Sequence, residues 1–71
     1  MNGYIIEMTR PDEKARLGHK AVRWIGIRPT AKSMIALLEG HSPSVIARGP
    51  AVLSRARAMG MQAGEIRQIH D

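Results

Sequence analysis

From Tyr4 to Thr9 the chain alternates: Tyr4, Ile6 and Met8 fall on one side of an extended backbone, Ile5, Glu7 and Thr9 on the other. Period two with aromatic and β-branched residues predicts a strand. Pro11 closes it, because proline cannot donate to a ladder and restricts Arg10 before it. Asp12 to His19 is polar, contains Gly18 and reads as a mobile loop or a short frayed turn of helix. Ala21 to Ile27 is apolar again and predicts a second strand, with Val22 and Trp24 facing one way and Arg23, Ile25 and Ile27 the other. Both faces carry bulk, so this strand is expected to be central or covered on both sides.

Arg28-Pro29-Thr30 breaks the pattern and starts a helix. The Thr30 hydroxyl can cap the free amides of a first turn. Ala31, Met34, Ile35 and Leu38 then follow at i, i+3, i+4 and i+7, an apolar stripe over residues 30–39, and Gly40 suits its end. Val45-Ile46-Ala47 reads either as a short strand or as one helical turn capped by Ser42 with Pro43 in first position. After Gly49-Pro50, the residues Val52, Leu53, Ala56 and Met59 line one face of a second helix that Gly60 ends. Glu65 to His70 favours a last strand, although Ile66 and Ile69 also fit helical spacing. The expected fold class is α+β, a single domain over residues 1–71. A small, mostly antiparallel sheet of three to four strands would carry two helices packed on one face.

Composition sharpens this picture at two points. With 71 residues, no cysteine and only 3% aromatics, the core must come from Ile, Leu, Val, Met and Ala. Domains this small bury only about 60% of the surface their unfolded chain exposes. Self-association is a common remedy, so a homodimer is a possible state. No stretch approaches the roughly 20 apolar residues that span a bilayer. The first residues lack a secretion signal, which together with the missing cysteines leads to an expectation of a cytoplasmic protein without membrane contact.

Charge changes the picture more. The formal charge is +5, and from Lys14 to Leu38 there are six cations and no carboxylate: Lys14, Arg16, Lys20, Arg23, Arg28 and Lys32. Unneutralised charge repels itself and calls for a negative partner, either nucleic acid or an acidic protein surface. These six are the candidate contact set, and Arg10 belongs to the same basic stretch of chain. Arg48, Arg55 and Arg57 form a secondary basic face. Eight of the eleven cations are Arg, and an Arg/Ala/Gly coding bias also produces such an excess. Trp24, the only tryptophan, is a candidate for base stacking or, more simply, for the core.

Other chemistry finds little footing. His19, His41 and His70 lack metal-ligand spacing, the serines lack a nucleophile elbow, and the glycines form no phosphate-cradling loop. No catalytic residues, metal ligands or cofactors are expected, and enzyme activity is not. The spacing of Ala36, Gly40 and Ile46 is similar to that of a helix-turn-helix. Glu39 and His41 occupy its apolar positions, however, and Gly49-Pro50 would truncate its reading helix. Were it to hold, Arg48, Arg55 and Arg57 would be the contact residues. The sequence therefore leads to a non-catalytic basic module contacting nucleic acid or a nucleoprotein complex. The alternative is a small inhibitor or adaptor, of the phage or plasmid accessory type, that blocks a host protein.

Overall fold

The computed structural model describes residues 1–70. Four strands and two helices follow in the order β1 (Asn2–Pro11), β2 (His19–Arg28), α1 (Ala31–Ile35), β3 (His41–Arg48), α2 (Pro50–Ala58) and β4 (Ile66–Ile69). The sheet is antiparallel throughout, with strand order β3-β1-β2-β4. This is the small α+β domain that the alternating and helical patterns predict.

The central hairpin of β1 and β2 is in unbroken register from Asn2↔Arg28 to Pro11↔His19. Residues directly opposite each other share a face of the sheet. Tyr4, Ile6, Met8 and Val22 therefore point one way and pack with Met34, Ala31 and Ile35 of α1. Ile5, Ile25 and Ile27 point the other way and pack with Val52 and Ala56 of α2. The helices thus lie on opposite faces, where a single helical face was expected. The reason is in β1 itself: Tyr4, Ile5 and Ile6 are consecutive buried residues, so both faces of the strand need cover.

Two glycines let the helices close on the sheet. A Cβ on Gly3 would strike the backbone of Val52 and Leu53, so α2 sits directly on β1 there. A Cβ on Gly26 would lie 2.7 Å from the Met34 sulfur, so α1 seats its one fully buried side chain in the gap.

Local caps explain the element ends. Thr30 Oγ1 accepts from the Ser33 N–H at 3.0 Å, and the Thr30 N–H donates back to Ser33 Oγ at 3.4 Å, a reciprocal capping box. The α-helical part of α1 ends at Ile35, shorter than the expected 30–39. The chain continues through i→i+3 bonds, with Leu37 N–H donating to Met34 O and Leu38 N–H to Ile35 O. It then descends against Met8 at Gly40 to start β3. At the end of α2, Met61 N–H donates to Ala56 O and Gly60 N–H to Arg57 O, with Gly60 at φ +79°. That is a Schellman ending, with Met61 and Ala56 in the same core cluster.

Residues 41–48 form a strand, which removes both the helical-turn alternative and the helix-turn-helix spacing. The outer edge of β3 is blunted by Pro43 and by two register shifts against β1. Among the described residues no helix is long and apolar enough to cross a membrane.

Candidate anion-binding hairpin

The charged residues can now be placed. β3 accompanies β1 only as far as Thr9, and β4 accompanies β2 only as far as Arg23. The rungs Arg10↔Lys20 and Pro11↔His19 thus lie beyond both neighbours, as a two-stranded ribbon with a seven-residue connection. That connection, Asp12 to Gly18, is internally ordered. Asp12 N–H donates to Gly18 O at 2.8 Å, Ala15 N–H to Asp12 O and Gly18 N–H to Ala15 O, both at 3.0 Å. The Asp12 carboxylate accepts from the Lys14 N–H at 2.9 Å. The turn is held by its backbone and one aspartate, which leaves the Lys14 and Arg16 side chains exposed and without a packing role.

Arg10 and Lys20 stand directly opposite each other, on the face that also carries Met8, Val22 and Trp24. Like charges across a rung destabilise the pair. Lys20 is partly compensated by Asp12 at 3.6 Å, an exposed bridge worth little. Arg10, by contrast, makes no ion pair among the described residues. The end of the hairpin therefore gathers Arg10, Lys14, Arg16 and Lys20 against Asp12 and Glu13.

The other expected contacts lie elsewhere. Arg23 sits on the α2 face, where its Nε donates to Glu7 Oε2 at 2.9 Å. Arg28 is eight residues beyond Lys20 along β2, about 27 Å at an extended rise of about 3.4 Å per residue. It is partly buried, and its Nη1 donates to Gly64 O at 3.4 Å, tying the end of β2 to the approach of β4. Lys32 is exposed on α1 close to that same end. The structure thus keeps Lys14, Arg16 and Lys20 at one end of the hairpin and puts Arg28 and Lys32 at the other, while Arg23 turns to the opposite face of β2 but still lines a cleft together with Lys20. The secondary set is divided too. Arg48 lies 6.0 Å from the Tyr4 ring centroid, on the α1 face, while Arg55 and Arg57 are exposed on α2. Arg10 is the residue that the six-cation window leaves out. The signal for it was Pro11, which closes β1 and so puts Arg10 on the last rung but one of the hairpin.

A cleft lies at the foot of the ribbon on the α1 side. It holds about 370 Å³ and is lined by Arg10, Trp24, Leu37, Leu38, Glu39 and Ile66. Trp24 is only partly buried, although it packs against the core beneath α1. Its indole N–H is buried with no hydrogen-bond partner among the described residues. Leu37 is 62% exposed. Comparison with protein families, curated proteins and solved structures finds no significant match to this chain.

Proposed function

We propose that this protein is a non-catalytic binding module that holds nucleic acid, alone or in a nucleoprotein complex, through the end of its β1–β2 hairpin. The observation that carries the reading is the Arg10–Lys20 rung, with Lys14 and Arg16 on the ordered turn just beyond it. The Lys14 and Arg16 side chains are exposed with no partner among the described residues, Lys20 has only its bridge to Asp12, and Arg10 and Lys20 repel each other across one rung. A phosphate backbone lying along the ribbon relieves that repulsion and releases its own counterions, which gives affinity without sequence preference. The shape suits the task as well, because a two-stranded ribbon is narrow enough to follow a groove. Arg28 has a different role in this reading. It is a strut of the fold, and it leaves the contact set.

The test is a fluorescence-anisotropy titration with single-stranded and duplex oligonucleotides at low salt, repeated as salt rises. Binding that weakens steeply between about 50 and 200 mM salt supports the reading. Flat titrations with both probes at low salt discard it. Retention of one protein from a nuclease-treated lysate, with no oligonucleotide binding, would instead direct the same cations to an acidic protein surface.

A further inference from the structure

We infer that the cleft between α1 and the β2–β4 side of the sheet takes one unpaired base of a single-stranded nucleic acid, an inference that rests on the nucleic-acid reading of the hairpin. Each part of a nucleotide finds a matching group. The lining combines one aromatic ring, Trp24, with three aliphatic side chains, Leu37, Leu38 and Ile66. A base has two flat apolar faces, and stacking on an aromatic side chain is the main way proteins hold unpaired bases. The remaining two lining residues are polar. The Glu39 carboxylate can accept from the N–H groups on a base edge. The Arg10 guanidinium can fork onto a phosphate. The cleft's volume of about 370 Å³ falls within the size range of small-ligand sites, about 300–1,000 Å³.

Position supports the same occupant. Trp24, Lys20 and Arg10 share one face of the sheet, so the cleft continues the charged ribbon. A strand held by its phosphates along Lys20 and Arg10 arrives at the indole. Bases within a duplex are stacked on each other and cannot enter, so the cleft discriminates single strands from duplex. Leu37 is the second indication. A leucine 62% exposed at the end of a helix contributes little to the core, yet here it lines the cleft together with the ring.

Trp24 is the only tryptophan, so its emission reports on this cleft alone. Unlabelled single-stranded oligonucleotide of mixed sequence is titrated while tryptophan emission is read. Anisotropy of a dye-labelled copy gives the total binding, and the annealed duplex is run in parallel. The expected result is quenching by the single strand that saturates together with the anisotropy, with no change on adding duplex. Leu37→Glu places a carboxylate in the cleft at an exposed position, so the variant should melt like the parent. It should lose about 5- to 150-fold in single-strand affinity, the range for one lost base stack, and clearly less in duplex affinity, which feels only the added charge. Single-strand binding by anisotropy with unmoved emission and an unaffected Leu37→Glu variant overturns the cleft and leaves the hairpin reading standing. Equal quenching by duplex overturns it too. No anisotropy change with either probe removes both.

Discussion

Replacing Lys14 and Arg16 together by alanine should halve the salt dependence of nucleic-acid binding. The ribbon offers four cations, Arg10, Lys14, Arg16 and Lys20. Each neutralised phosphate contributes about 0.7 to the slope of log affinity against log salt for a single strand, and about 0.9 for a duplex. Four contacts give slopes of about −2.8 and −3.6. A fourfold rise in salt, from about 50 to 200 mM, then lowers affinity about 50-fold and about 150-fold. With two contacts left, the slopes become about −1.4 and −1.8, and the same rise costs only about 7-fold and 12-fold. The variant should fold normally, because the turn is held by backbone bonds and the Asp12 carboxylate and not by these side chains. Arg55→Ala with Arg57→Ala removes the same charge from the opposite face of the sheet and serves as the control. The slopes come from anisotropy titrations at a series of KCl concentrations. A parental slope in the Lys14/Arg16 variant, or a flattened one in the Arg55/Arg57 control, refutes the assignment of contacts to the hairpin.

Other outcomes test the fold that presents this ribbon. Gly3→Ala should cost more than Gly26→Ala in chemical denaturation, at the upper end of or beyond the about 1–3 kcal/mol typical of overpacking. At Gly3 the obstacle is the backbone of α2, whereas at Gly26 it is the end of the Met34 side chain; equal costs would mean α2 does not rest on β1 as described. Thr30→Ala removes one half of the capping box and should cost about 1 kcal/mol, a fall in Tm of about 4–8 °C for a domain of this size. Thr30→Ser should recover most of that, and an unchanged Tm in the alanine variant would show that α1 is held by Met34 alone.

Much of the fold was legible in the chain. Alternation marked both central strands and assigned the faces of β2 correctly, because successive side chains of a strand point to opposite faces of the sheet. Thr30 and Gly60 marked a helix start and a helix end through cap chemistry that is local by nature. The partner bond from Ser33 was not anticipated, since the reciprocal position usually holds Glu or Gln. The opposite placement of the helices was present in the Tyr4-Ile5-Ile6 run, but pairing two amphipathic stripes with one sheet face was the simpler solution on paper. Residues 43–48 stayed ambiguous because the short apolar run Val45-Ile46-Ala47 has no period of its own, and pairing with β1 decides it.

The charge pattern misled for a geometric reason. A window of sequence is a cluster only where the chain is compact. Here it includes a ten-residue strand, which carries Lys20 and Arg28 to opposite ends of the molecule. The same strand turns Arg23 to the other face, where Glu7 meets it. Conversely, Arg10 lies outside the window but across the rung from Lys20, a proximity that only the hairpin register creates.

The location of the anion surface is tested most directly by a titration of isotopically labelled protein with a single-stranded oligonucleotide, followed by backbone amide shifts. The account predicts perturbations between Arg10 and Ala21 that continue to Trp24 and to Leu37, Leu38 and Glu39 around the cleft, with the amides of Arg28, Lys32, Arg55 and Arg57 unmoved. Shifts centred on Arg28 and Lys32 at the far end, or on the outer face of α2, with the hairpin silent, would contradict it.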